Sequence, residues 1–322
     1  MSSADQSTAK IRVGISTCLL GANVRFDGGH KHDPFLTETL GAFFEWVPVC
    51  PEVEIGLGTP RESLRLVGTP EQPRLVAPRS GKDHTDAMRR FADRRLDQLA
   101  TTDIHGYVLK KDSPSCGMMR VRVYGDGGMA ARTGRGLYAD TLLKRFPTLP
   151  VEEEGRLHDM ALRESFIERV FAHHRWTKFA QSRPRPKDMV GFHSSQKLAL
   201  MAHSPEHYRQ LGRLVAQAGR TPMNELLASY GEGFMHCLSV RATAKKHANV
   251  LQHLLGYLKM KLDATDKTEL IGHIEDYRNG LVPLIVPLTL LSHHFRRHPC
   301  PWVAEQTYLN PYPAELMLRN HV

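Results

Sequence analysis

A chain of 322 residues, 41% hydrophobic and 24% charged, is long enough for two cores of ordinary size and too apolar for a disordered segment. Its most apolar run, "GLVPLIVPLTLLSHH", is broken by Pro283 and Pro287 and falls short of the ~20 residues that cross a bilayer, so no membrane span is expected. The net charge of +9 is lopsided: 22 Lys and Arg face 14 Asp and Glu from residue 156 onward, against 21 and 20 before it.

The leader "MSSADQSTAK" is polar and shows no basic-then-apolar signal pattern, which gives the expectation of a cytoplasmic protein. Five cysteines in such a chain are expected to be reduced thiols rather than a disulfide framework. In chain order, "KIRVGIST", "EWVPVC" and "IHGYVLK" read as strands, and "TDAMRRFADRRLDQLA" carries apolar residues at helical spacing. This alternation predicts an α/β fold, a Rossmann-like and mainly parallel sheet, over residues 1–155. From about residue 157 only helical patterns remain, in "GRLHDMALRESFIERVFAHHRWTKFA", "SSQKLALMAH", "PEHYRQLGRLVAQAG" and the runs that follow. An all-α domain is therefore predicted over residues 156–322.

Cys18, Cys50 and Cys116 each follow a predicted strand, with 31 and 65 residues between them. Right-handed crossovers bring the C-terminal ends of parallel strands to one edge, where open α/β sheets bind ligands. Any one such cysteine is ordinarily a small apolar filler. Three at strand ends, in "TCLLG", "VCPE" and "SPSCG", point instead to a thiophilic metal. The spacing leaves zinc and an iron–sulfur cluster both open.

The blocks "ISTCLLGANVRFDGGHK", "VPVCPEVEIGLGTPRES" and "VLKKDSPSCG", with the later "YGDGGMAARTGRGLYADTLLKR", resemble the thiouracil desulfurase (desulfidase) family over about residues 10–155. "KLALMAHSPEHYRQLGRL", "YRNGLVPLIVPLTLL" and "YLNPYPAEL" resemble the YbgA-like helical domain. The resemblance implies a 4Fe-4S cluster held by Cys18, Cys50 and Cys116 with one open iron. It further implies non-redox replacement of the sulfur of a thiolated pyrimidine by water, with release of sulfide.

Glu52, two residues past a proposed ligand, is the candidate base; partial desolvation raises a carboxylate toward the useful range. Ser113 and Ser115 are candidates for substrate contact or proton transfer, or else turn caps. Asp27 either orients substrate or closes a turn with Gly28 and Gly29. Arg25, Arg61 and Lys111 are candidates for a substrate phosphate, and His30 and His32 are further possible contacts. The histidines of the helical half, His203 and His207 among them, lack a metal-binding pattern, and Cys237 and Cys300 read as a buried filler and a loop thiol. The excess positive charge of that half is either a solvated surface or a surface for contact with RNA, DNA or a nucleotide phosphate. The competing reading is a nucleic-acid-binding protein whose three cysteines hold a structural metal. Neither reading specifies an oligomeric state.

Overall fold

The computed structural model describes residues 10–125 and 128–321 and divides into two units, Met1–Leu162 and Arg163–Val322. The leader up to residue 9, and Asp126 and Gly127 of "YGDGGM", lie outside the described residues.

In the first unit, strands β1 (Ile11–Ser16), β2 (Phe44–Val49), β5 (Tyr107–Leu109) and β8 (Val151–Glu153) form one sheet in the order β2-β1-β5-β8, and every pairing is parallel. Parallel strands covered on both faces read as near-continuous apolar runs. Val13, Ile15, Val49, Tyr107, Val108 and Leu109 are accordingly fully buried. Gly14 is required by this packing, since a Cβ there would stand 2.3 Å from the ring of Tyr107 on the neighbouring strand. Helices α2 (Thr85–Thr101) and α3 (Leu137–Arg145) bury the stripes Met88, Phe91, Leu96, Leu99 and Leu137, Tyr138, Leu142 in the core. The short helix α1 (Pro51–Glu54) follows β2 directly, with Pro51 at its first turn, where a missing N–H costs nothing.

A second sheet, absent from the sequence reading, has the order β4-β3-β6-β7. Its strands are β3 (Arg65–Gly68), β4 (Pro73–Val76), β6 (Val121–Tyr124) and β7 (Ala130–Gly134). β3 and β6 run parallel, while β3–β4 and β6–β7 are antiparallel. Leu66, Leu75, Val121 and Val123 point into the core of the unit, and of the alternate positions Arg65, Arg74 and Arg122 are exposed while Val67, Val76 and Tyr124 are half-buried.

The second unit is helical: after α4 (Met160–Gln181) come α5 (Pro186–His203), α6 (Pro205–Val215), α7 (Met223–Ser239), α8 (Ala244–Leu258), α9 (Ala264–Arg278) and α10 (Ile285–Arg297). Its break points follow local chemistry. Ser204 caps α6, its hydroxyl accepting from the His207 amide at 3.3 Å with Pro205 in the first turn, so "HSPEH" spans two helices. Thr243 caps α8 by the same kind of bond to the Lys246 amide. No described helix is long and apolar enough to cross a membrane.

Candidate active site

Three turns leave the C-terminal edge of the adjacent strands β2, β1 and β5. Cys18 lies in the 3-10 turn Thr17–Leu20 after β1, Cys50 is the N-cap of α1 after β2, and Cys116 lies in the loop after β5. All three line one cavity of about 310 Å³ together with Arg25, Glu52, Arg61, Lys110, Lys111 and Ser113. The Cys116 turn is tightly built. Ser113 Oγ accepts the amides of Ser115 (3.2 Å) and Cys116 (3.0 Å), and Ser113 O accepts from Gly117 N at 2.8 Å. The amide of Leu137 donates to Pro114 O, and those of Tyr138 and Ala139 to Ser115 O, all at 3.1 Å. Gly136 permits this close approach, because a Cβ there would lie 2.4 Å from Ser115 O.

Burial raises all three thiols. Cys18 is pushed up to about 11, with partial relief from the Lys110 ammonium. Cys50 rises through burial and the Glu52 charge, and Cys116 rises through burial against a hydrogen bond from Ser16. Thiols held this way are poor free nucleophiles. A cationic group that displaces their protons reverses that preference, which makes three soft donors around one cavity suitable ligands for an iron–sulfur group. Among the described residues, no three His, Cys, Asp or Glu side chains are grouped as a single-ion site would require.

The carboxylate of Glu52 is held from two sides. Its Oε2 accepts from Arg61 Nε at 3.0 Å and Nη2 at 2.7 Å, and its Oε1 accepts from Ser115 Oγ at 2.9 Å. The Arg61 side chain, 8% exposed, also donates to Val24 O at 2.9 Å and Gly58 O at 3.2 Å. The two serines thus differ: Ser115 is fully buried on Glu52, whereas Ser113 lines the cavity and caps the turn. Arg25 pairs with Asp27 at 3.1 Å, and Asp27 also accepts from Gly29 N at 3.0 Å. The Arg25 hydrogen bond holds the Asp27 carboxyl below its usual range. Asp27 is not among the residues lining the cavity, and neither are His30 and His32, which bond to each other and, through His32, to Thr37.

The 2-thiouracil desulfurase family model matches residues 13–154, and the model of a family of unknown function, DUF1722, matches residues 197–313. The uncharacterized protein YbgA of Escherichia coli K12 is 30% identical over 158 residues, covering 49% of this chain and 94% of that protein. The chain belongs to the family of YbgA through its helical half, and a 2-thiouracil desulfurase domain precedes that half. The uncharacterized protein YbbK of Bacillus subtilis 168 is 29% identical over 108 residues, 32% of this chain and 71% of its own. A solved structure of a [4Fe-4S]-dependent thiouracil desulfidase, TudS, is 34% identical with a TM-score of 0.38, covering 48% of this chain and 99% of that one.

Sequence reasoning passed over four residues of this cavity and its support. Lys110 lines the cavity and pairs with Glu154, and the Lys111 amide donates to the other Glu154 oxygen at 2.8 Å. Ser16 Oγ accepts from the Lys110 amide at 3.0 Å and reaches Cys116. Their neighbour Glu153 accepts from the Met118 amide at 2.7 Å and fixes the chain just past Cys116. The signal was "VEEEG": three carboxylates at the end of a strand that shares the cysteines' edge. In the helical unit, His203 and His207 sit on different helices. His203 bonds Val240 O at 2.7 Å and Glu168 at 3.3 Å.

Proposed function

We propose that the chain is an iron–sulfur-dependent desulfidase acting on a thiolated pyrimidine, 2- or 4-thio, as base, nucleoside or nucleotide. The C=S group and water become C=O and hydrogen sulfide, with no net electron transfer. The observation that carries this reading is the single cavity into which β1, β2 and β5 deliver Cys18, Cys50 and Cys116 beside the anchored carboxylate of Glu52. When bound by those three thiolates, a 4Fe-4S cluster supplies one iron without a protein ligand, a Lewis acid for the thiocarbonyl sulfur that leaves its carbon open to water.

The chain's own residues supply the rest. A carboxylate oxygen has more than one lone-pair site, so Oε1 of Glu52 accepts from Ser115 and still has room for the proton of an attacking water. Arg61 fixes the plane of that carboxylate, so the proton is received at a defined position. The Lys110 ammonium, in the cavity wall and paired with Glu154, favours negative charge developing on sulfur. A cavity of about 310 Å³ is at the size expected for a small ligand. The positive excess of residues 156–322 favours a phosphate-bearing substrate, a nucleotide or a pyrimidine within RNA, and this is the partner proposed for the helical half.

The test is sulfide release by anaerobically purified full-length protein from 2-thiouracil and from 4-thiouridine 5′-monophosphate. Turnover of either supports the reading. A protein with a full cluster that turns over neither, nor a thiolated RNA, contradicts it.

A further inference from the structure

A second cavity, of about 270 Å³, lies behind the wall of the first: Asp112 and Pro114, in the loop that leads to Cys116, line both. Its other side is the exposed face of the second sheet, with Arg65 on β3, Arg122 on β6 and Arg132 on β7. The register puts these cations in a row. Arg122 and Arg132 are directly paired across β6 and β7, and Arg65 and Arg122 each precede one member of the parallel pair Leu66 and Val123.

Like charges opposite one another on neighbouring strands destabilise a sheet. Among the described residues, the row has one acidic neighbour, Asp112, at 3.6 Å from Arg132 and itself more than half exposed. No acid among them pairs with Arg65 or Arg122; Arg65 instead lies over the Tyr124 ring at 5.0 Å. A local conflict of this kind, held next to a reactive loop, is characteristic of a ligand site.

We infer that the cavity formed by Arg65, Arg122 and Arg132 is a phosphate subsite, which holds a phosphate of the thiolated substrate while its pyrimidine occupies the cysteine cavity across the Asp112–Pro114 wall. The inference rests on the desulfidase reading for the identity of that substrate. Guanidinium groups suit phosphate because their planar donors bond two of its oxygens at once. Arg25 and Arg61, on the cysteine side, are already bonded to Asp27 and Glu52, whereas Arg65 and Arg122 have no acidic partner among the described residues.

The test uses probes that undergo no turnover: uridine, uridine 5′-monophosphate and a single-stranded RNA of about 15 nucleotides, each titrated into full-length holoprotein. The double variant Arg122→Gln/Arg132→Gln should weaken binding of a phosphate-bearing probe by about tenfold and leave uridine unchanged. For RNA, the slope of log K against log salt should fall by roughly one per arginine removed. Arg122→Lys/Arg132→Lys should restore most of both. An effect confined to uridine 5′-monophosphate identifies a terminal phosphate, and one confined to RNA a backbone phosphate. Equal affinities in wild type and the Gln variant, or no binding of either phosphate probe by wild type, overturn the subsite. Sulfide release from 2-thiouracil separates the two claims. If it persists while binding is unchanged, only the subsite fails; if binding is lost in a protein that desulfurates nothing, only the desulfidase reading fails.

Discussion

Both oxygens of Glu52 are engaged, and the two partners have different consequences. Glu52→Gln keeps the size of the side chain and a hydrogen bond with Ser115 but gives up the ion pair with Arg61, and an amide cannot take a proton from water. Turnover should fall by about 10²–10⁴-fold while iron content stays at the wild-type level, and a Gln variant with wild-type turnover would contradict the assignment. Removing Arg61 acts differently, because it leaves a mostly buried carboxylate unpaired. Arg61→Ala should cost about 3–5 kcal/mol of stability by urea denaturation, a loss that a pair of no structural weight would not produce. The serines separate in the same way. Ser115→Ala, which removes the bond to Glu52, should lower kcat. Ser113→Ala, which removes two turn bonds, should mainly lower stability, by about 1 kcal/mol for each bond. The reverse pattern would exchange their roles. That Ser113 and Ser115 differ was not visible in "SPSCG", because both readings of a turn serine use the same residue type, and only the neighbouring helix and Glu52 distinguish them.

At the scale of elements, what was legible depended on length and apolar continuity. β1, β2 and β5 were read from "KIRVGIST", "EWVPVC" and "IHGYVLK", and their common edge followed from the parallel crossover rule; in the sheet the three are parallel neighbours. The second sheet was not, because "RLVG", "PRLV", "VRVY" and "AARTG" are four or five residues long and carry arginine on their exposed positions. Such segments become strands through their partners rather than through their own pattern. β8 escaped for a related reason: in "VEE" the two glutamates are buried by the bonds they make and not by apolar character. The contact between α3 and the Cys116 loop also has a price that can be measured. Gly136→Ala places a methyl group against Ser115 O, and should destabilise the first unit by about 1–3 kcal/mol in urea. Unchanged stability would show that α3 can retreat without loss.

For the whole molecule, two units with separate cores imply separate responses to pH. In the helical unit, burial first, and then the Arg319 charge, push the His247 ring down from the usual 6.5 to about 3. Its stabilising effect as a neutral ring is complete above about 6.5 and is lost as pH falls toward 3, because the unfolded chain takes up the proton first. His203 works oppositely: Glu168 outweighs burial and raises it, so its contribution is complete below 6.5 and is lost as pH rises through the raised value. The loss in melting temperature of the helical unit between pH 7 and pH 5 should therefore shrink in His247→Gln; an unchanged loss would rule out the buried ring as its source. The +8 excess of this half was legible by counting, whereas the buried His203–Glu168 pair was not, because the partners lie 35 residues apart on different helices.

The most direct test of the central claim is the iron and acid-labile sulfide content of anaerobically purified full-length protein, with its visible absorption, in wild type and single Cys→Ser variants. About four irons per chain are predicted for wild type and for Cys300→Ser, with loss of the cluster in Cys18→Ser, Cys50→Ser and Cys116→Ser. Colourless wild-type protein carrying stoichiometric zinc, or a Cys116→Ser variant with a full complement of iron, would contradict the account.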